Sequence, residues 1–361
     1  MLSHKIQIKN PTVKQEQYFR KACGTARFAY NWGLLEWKKQ YQAGQKPTAF
    51  SVKKAFNAIK LVEFPWVFQV TKCAPEQAFA NLGHAFQRFF KGIGNYPQFK
   101  RKGVHDSFYL SNDQFQIIEK RIKIPKLGWV KLTEPLRFSG RVMSATVSRT
   151  SNRWFISIQV QTEFTPNREN QASQVGVDLG VKHLATLSNG EVVEGPKPLK
   201  NLSRRLARLQ RQLSQCVKGS HRQQQAQLKV SKLYYRISCV RQDALHKLTH
   251  SLCKTFNVIG IENLNVKGMM KNHKLAQAIS DMSFYEFKRQ LEYKAQLYGN
   301  WLQVIDRWFP SSKRCSNCGH QRDELKLSER VYHCSECGLE RDRDLNAAIN
   351  LEQEAIRLLA T

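Results

Sequence analysis

Polar and apolar residues alternate over positions 4–9, the period-two signature of a strand with one buried face, and Pro11 breaks the run. From Val13 to about Gly44 the period changes. Phe19, Ala22, Cys23, Ala26 and Tyr30 recur at spacings of three and four, which predicts a helix. A second helix is predicted from about Ala74 to Lys91, with Phe79, Leu82, Phe86 and Phe89 as a core-facing stripe. Beyond a basic loop at 96–103 the period returns to two. Strands are predicted over 116–125, 128–132, 141–150 and 154–161, which together imply a small barrel or sandwich. Residues 4–9 read as a strand of the same unit, so the helical block reads as an insertion into it.

A polar linker is predicted over residues 166–174. After it, Val175 to Gly180 read as a buried strand ending in a carboxylate, Asp178. Leu184 to Leu187, the Asn189-Gly190 turn and Val192-Val193 continue as a meander. Two long helices follow over 201–253, broken near Gly219. Leu202, Leu206, Leu209 and Leu213 form one apolar seam, and Leu233, Ile237, Val240, Ala244 and Leu248 the other. Phe256 to Glu262 is a second buried strand ending in an acid. A helix over 283–299, a strand over 301–305 and a last helix over 344–359 complete the pattern.

Charge changes the picture. The 361 residues carry 58 Lys and Arg against 28 Asp and Glu, a formal net charge of +30. Residues 1–102 hold 18 basic and four acidic side chains, and residues 197–254 hold 14 basic groups and one acid, Asp243. Such one-signed surfaces attract polyanions, and the interleaved aromatic residues favour nucleic acid over lipid, because bases stack on rings. Forty-one per cent hydrophobic residues is too many for a disordered chain, and no apolar run approaches the roughly 20 residues that span a bilayer. The N-terminus lacks the apolar stretch of a signal peptide. A cytosolic protein without a membrane partner is expected.

Nine cysteines make an odd count, which argues against a closed disulfide framework. Four of them form two pairs, Cys315-x2-Cys318 and Cys334-x2-Cys337, separated by 15 residues and each followed by glycine, Gly319 and Gly338. That spacing predicts a four-thiolate site, and a closed sulfur shell suits structural Zn²⁺.

Acids are scarce, so those beside apolar strands stand out. Asp178 and Glu262 end strands, and Asp344 opens the last helix with Asp342 as its competitor. Alone, Asp344 reads as a helix N-cap and Glu262 as the partner of a buried lysine. Converging, three carboxylates would repel one another unless divalent cations sat between them, and two Mg²⁺ ions about 4 Å apart suit phosphodiester cleavage.

Taken together, Gly176-Val177-Asp178-Leu179-Gly180, Arg241-Gln242-Asp243-Ala244-Leu245-His246-Lys247-Leu248, Gly260-Ile261-Glu262-Asn263-Leu264, Phe309 to Cys315, the four cysteines and Asp342 to Asn350 resemble the TnpB (OrfB) family. Ala29-Tyr30-Asn31, Tyr96 to Lys100 and Lys126 to Val130 extend the likeness into the N-terminal half. These are transposon-encoded RNA-guided DNA endonucleases related to type V CRISPR effectors. The resemblance implies an α+β multidomain chain. A β-barrel wedge (1–10 and 104–165) would carry a helical recognition insertion (11–103). An RNase H-like, RuvC-type nuclease (171–310 and 338–361) would carry an inserted zinc ribbon (311–337). It also implies catalytic Mg²⁺ on Asp178, Glu262 and Asp344, the last preferred to Asp342 because the family's acid precedes x-Asn-Ala-Ala. The implied partners are a guide RNA from the transposon end and double-stranded target DNA, in the prokaryotic cytoplasm at the nucleoid. Lys72 is nominated as a reader of a short motif beside the target. A guide-dependent DNA-binding regulator without cleavage and a strand-joining transposase are the alternatives.

Overall fold

The first strand, β1 (Leu2–Gln7), gives way to a 30-residue helix α1 (Val13–Gln42), whose start is fixed by a capping box between Thr12 and Gln15. The computed structural model describes residues 1–163, 173–326 and 328–360. The chain divides into two units, Met1–Glu163 and Phe164–Thr361. Through residue 172, the expected linker lies outside the described residues.

In the first unit, α1 is followed by α2 (Ala49–Glu63) and α3 (Cys73–Phe90). The chain then forms β2 (Ser107–Ser111), β3 (Gln116–Ile118), β4 (Arg121–Ile124), β5 (Gly128–Lys131), β6 (Arg141–Thr150) and β7 (Arg153–Gln161). One sheet runs β1-β7-β6-β2 and another β3-β4-β5, linked by an Ile8–Leu132 bridge. All three helices thus lie between two strands of one sheet. Ile6, Phe19, Phe108, Trp154 and Ile156 fill the core against the sheets, while Tyr30, Trp37, Phe56, Phe79 and Phe86 fill a second core among the helices. Phe89 departs from the predicted stripe at 37% exposure, because it sits on the last turn of α3, beyond the helical core that ends at Phe86.

The second unit opens with β8 (Gln174–Asp178), β9 (Ala185–Leu187) and β10 (Val192–Val193). Helices α4 (Pro198–Ser214) and α5 (His221–Thr255) follow. Then come β11 (Val258–Glu262), α6 (Val266–Met269), α7 (Ala276–Met282), α8 (Phe284–Tyr298) and β12 (Trp301–Ile305). A small hairpin, β13 (Val331–His333) and β14 (Glu340–Asp342), leads directly into α9 (Arg343–Ala360).

The five-stranded sheet has the order β10-β9-β8-β11-β12, with β11 parallel to both β8 and β12. Val175, Val177, Ile259 and Ile261 point to one face and pack with Leu245, Leu248, Phe284, Phe287 and Leu291. Helix α5 hands its apolar seam from one partner to another. Leu233 and Ile237 pack with the α4 leucines, and Leu245, Leu248 and Leu252 pack with the sheet. Val240 lies at that changeover and is 38% exposed, contrary to its place in the predicted seam.

Buried Asp281 of α7 accepts hydrogen bonds from the backbone N–H groups of Leu199 and Lys200, both at 2.9 Å, and from the Arg241 guanidinium at 2.8 Å. One carboxylate thereby satisfies the start of α4 and ties it to α5.

Candidate metal and carboxylate site

Side chains two residues apart on a strand share a face. Gly176 and Gly260, which stand opposite each other across β8 and β11, therefore lie on the same face as Asp178 and Glu262. A Cβ on Gly176 would meet the backbone oxygen of Ala348 at 1.8 Å, and one on Gly260 would meet that of Leu351 at 2.6 Å. The two glycines open a trough in which α9 lies against bare sheet backbone. Ala348 sits over Gly176. One helical turn back from Ala348 spans about 6 Å and brings Asp344, while two strand residues beyond Gly176 span about 6.6 Å and bring Asp178. The two periods match, so the start of α9 meets the ends of β8 and β11.

The electrostatics record that meeting. Asp178 is pushed up from 3.8 to about 7, first by burial and then by the negative charges of Asp344 and Glu262, with Arg343 opposing. Burial also raises Glu262. Asp344 is paired with the guanidinium of Arg343 at 3.3 Å. Among the described residues, neither Asp178 nor Glu262 has an ion pair, so Glu262 is not the partner of a buried lysine. The two acids that compete for the third position differ in their contacts, though the charges of both raise Asp178. The Asp342 carboxylate accepts from the backbone N–H of Asp344 at 2.9 Å and of Leu345 at 3.1 Å, so it caps α9. Asp344 is thus not the cap and points its carboxylate elsewhere.

Asp178 and Glu262, buried carboxylates held above their ordinary range, are groups that could hold a divalent cation. The three acids converge less tightly than the cysteines. Among the described residues, the four cysteines are the group whose ligand atoms all lie within 4.8 Å of one another.

A pH dependence follows from Asp178. Between about pH 4 and pH 7 the folded cation-free protein retains a proton that the unfolded chain releases, so stability falls as pH rises through that window. Asp178→Asn is expected to remove its share of the slope and leave that of Glu262. In magnesium-free buffer it should exceed the parent by about 1–3 kcal/mol at pH 8 and match it near pH 4. Thermal melts across that range check this, and an Asn variant less stable than the parent at pH 8 would contradict the electrostatic account.

The two cysteine knuckles are built alike. Cys315 N–H donates to the His320 carbonyl and Cys334 N–H to that of Leu339, while Gly319 and Gly338 N–H donate to Cys315 and Cys334. Both glycines have positive φ, +78° and +70°, a left-handed turn that a side chain would strain. Sγ–Sγ separations of 3.6 Å, Cys315–Cys337 and Cys318–Cys334, approach the edge of about 3.8 Å expected for a tetrahedral zinc–thiolate site.

The first knuckle is clamped to α9 by two buried asparagines one turn apart. Asn346 accepts from Ser316 N–H and donates to the Arg314 carbonyl, and Asn350 donates to the Ser311 and Arg314 carbonyls. Neither these residues nor the two trough glycines stand out as functional in the sequence. The spacing of Asn346 and Asn350 on one face of an amphipathic helix is the signal by which a sequence reading finds them. Lys72, at the start of α3 in the first unit, is exposed and paired with Asp113 at 3.5 Å.

The comparisons with known proteins agree in family. An IS605 OrfB model, described as "Probable transposase", matches residues 155–273. A Cas12f1-like TNB-domain model matches residues 284–351, and a helix-turn-helix model from the same OrfB group matches residues 1–46. In this structure residues 13–42 are one unbroken helix.

A Streptomyces pristinaespiralis protein named "Putative RNA-guided DNA endonuclease" is 35% identical over 94% of this chain and 86% of its own length. The Escherichia coli K12 protein "Putative RNA-guided DNA endonuclease InsQ" is 33% identical over 96% of this chain and 90% of its own length. A solved Cas12f1–sgRNA–target DNA complex contains a chain of similar fold, with a TM-score of 0.61 at 15% identity, covering 94% of this chain and 83% of the other.

Proposed function

Since the chain belongs to the IS605 OrfB family, whose members are also called TnpB, we propose that it is a Mg²⁺-dependent DNA endonuclease guided by RNA from its transposon end. The observation that carries the proposal is the meeting of Asp178, Glu262 and Asp344 at the start of α9. These three carboxylates would hold the catalytic cations, with Asp344 presented by the cap that Asp342 provides. Mg²⁺ bound there supplies an activated water and charge neutralisation at the leaving oxygen. The protein's own contribution is to keep Asp178 and Glu262 unpaired, so that cation binding displaces a proton rather than a salt bridge.

The β10-β9-β8-β11-β12 strand order with its packed α9 supports an RNase H-like, RuvC-type nuclease. Residues 311–337 act as its zinc ribbon. The first unit serves as β-barrel wedge with a helical recognition insertion, and its excess of positive charge suits a guide–target heteroduplex recognised by shape and phosphate contacts. Lys72, released from Asp113, is the proposed reader of the target-adjacent motif in duplex DNA.

The test is to sequence the RNA that copurifies with the protein and then challenge the complex with a matched duplex. One discrete RNA and Mg²⁺-dependent cutting are expected. A random RNA mixture would overturn the reading and leave only generic polyanion affinity, and binding of the matched duplex without cutting at any Mg²⁺ concentration would overturn it in favour of a regulator. The transposase description of the matching family model keeps strand joining as a second reading, and joined products in a strand-transfer assay would establish it.

The four-thiolate site is expected to hold one zinc per chain, measured by elemental analysis. Because Asn346 and Asn350 fasten the first knuckle to α9, Cys334→Ser should lower both zinc content and cleavage. A zinc-free protein with the parent's melting temperature would exclude a structural metal.

A further inference from the structure

Arg343 runs against the ordinary charge preference of a helix. As the first residue of α9 it stands where unpaired backbone N–H groups favour anions and oppose cations. Its side chain is nevertheless drawn in, 14% exposed, beside that of Asp344 at 20%. Neighbouring residues of a helix point in different directions, so the arm folds back to make this contact. The acids supply the reason for a cation here. The charge of Arg343 lowers Asp178, while those of Asp344, Glu262 and Asp342 raise it.

Two other arginine–carboxylate pairs in the second unit show the geometry of a full pair. Arg289 reaches both oxygens of Glu286, and Arg357 both oxygens of Glu354, each at 2.7 and 2.8 Å. Arg343 differs. Its Nε and Nη2 both approach a single oxygen, Asp344 Oδ1, at 3.4 and 3.3 Å, and Oδ2 stays outside the pair. The remaining nitrogen, Nη1, donates to the Glu329 carbonyl at 3.2 Å, and Arg343 N–H donates to the Arg330 carbonyl at 2.8 Å. Glu329 is itself held by Arg322 at 3.3 Å and by Lys326 N–H at 3.0 Å. The guanidinium therefore hangs between a neutral carbonyl, in the segment between the cysteine pairs, and one oxygen of a carboxylate. The carbonyl anchors it whether or not another cation takes Asp344.

We propose that Arg343 is a built-in counter-cation of the carboxylate site, with two separable effects. Its charge offsets the repulsion among the acids and opposes the entry of a divalent cation. Its fork, anchored on Glu329, holds Asp344 by Oδ1 and so presents Oδ2 to that cation. Arg343 is a positioning residue, acting through Asp344. The inference rests on the reading that Asp178, Glu262 and Asp344 hold Mg²⁺. It adds that the chain itself holds the cation affinity down and sets the orientation of the third acid.

Charge and fork are separated by Arg343→Met, which loses both, and Arg343→Lys, which loses only the fork. The first measurement is Mn²⁺ binding to the full chain without nucleic acid, read by electron paramagnetic resonance, with Asp178→Ala defining the share that belongs to the site. Arg343→Met should bind Mn²⁺ about five- to tenfold more tightly than the parent, and Arg343→Lys within about twofold of it. The second is single-turnover cleavage of a matched duplex by the guide-loaded protein at saturating Mg²⁺, which both variants should slow about tenfold. Thermal melts check folding. In cation-free buffer at pH 8 Arg343→Met should melt below the parent, and saturating Mn²⁺ should close the gap. Mn²⁺ affinity in Arg343→Met equal to or weaker than the parent's, or a melting gap that Mn²⁺ leaves unchanged, would overturn the counter-cation while a cutting parent kept the endonuclease reading. Parent-like cleavage by Arg343→Lys would overturn the role of the fork. Tightened Mn²⁺ binding by Arg343→Met in a protein that never cuts would sink the endonuclease reading and keep the counter-cation. Mn²⁺ binding that Asp178→Ala leaves intact would sink the metal reading and this inference with it.

Discussion

Asp178→Ala or Glu262→Ala is expected to slow cleavage of matched DNA by at least about a thousandfold, which corresponds to about 4 kcal/mol of lost transition-state stabilisation. Guide RNA binding and target binding should stay within about twofold, because the carboxylates contribute repulsion, not affinity, to a polyanion complex. Asp344→Ala should behave like the other two. Asp342→Ala separates roles that one-dimensional spacing does not. It removes a helix cap whose loss costs about 1 kcal/mol, so it should lower the melting temperature and slow cleavage far less than Asp344→Ala. Rate measurements at saturating Mg²⁺, paired with mobility-shift titrations, decide the matter. Undiminished cutting by the Asp178 or Glu262 variant would remove the basis of the metal site, and equal defects in the two α9 variants would undo the division between cap and ligand.

Gly176→Ala is expected to be the most damaging single-methyl change in the second unit. The added carbon would stand 1.8 Å from the Ala348 oxygen and 2.5 Å from the Glu352 nitrogen, both backbone atoms of α9 that no rotamer change can move. Helix and sheet must separate, at a cost of about 3 kcal/mol or more. Since α9 carries Asp344, separation also pulls one carboxylate away from the other two, so cleavage should fall even at temperatures where the variant stays folded. Gly24→Ala on α1 is the control. Its Cβ would meet only the Arg27 guanidinium at 3.8 Å, and replacing a mid-helix glycine there should stabilise by about 0.5–1 kcal/mol. A Gly176→Ala protein that melts and cuts like the parent would show that α9 does not rest on bare sheet.

The elements with strong periodicity were legible in the sequence. The long helix Val13–Gln42, the break near Gly219, the strands ending in Asp178 and Glu262 and the closing helix are all where the spacing of apolar residues predicts them. Helix Ala49–Glu63 is not legible in the apolar pattern, because it buries only Val52 and Phe56 and has too weak a stripe to read. Strand Ser107–Ser111 is likewise not legible, since it is short and defined by pairing with β6 rather than by its own pattern. The expected strand over 116–125 divides into β3 and β4 at a turn where Glu119 takes a positive φ.

The candidate site divides along the same line. By itself the sequence determined the residue types and local geometry: two cysteine pairs whose spacing makes knuckles, acids at strand ends, and a cationic surface. These are short-range facts, set by the periods of helix and strand and by turn chemistry within a few residues. Only the tertiary structure decided that the charges of Asp344 and Glu262 reach Asp178, and that paired glycines let α9 reach the sheet. It likewise decided that Asn346 and Asn350 fasten the cysteine knuckle to that helix. Each of these depends on packing between segments separated by tens to more than a hundred residues, and a linear pattern does not encode the register in which such segments come together.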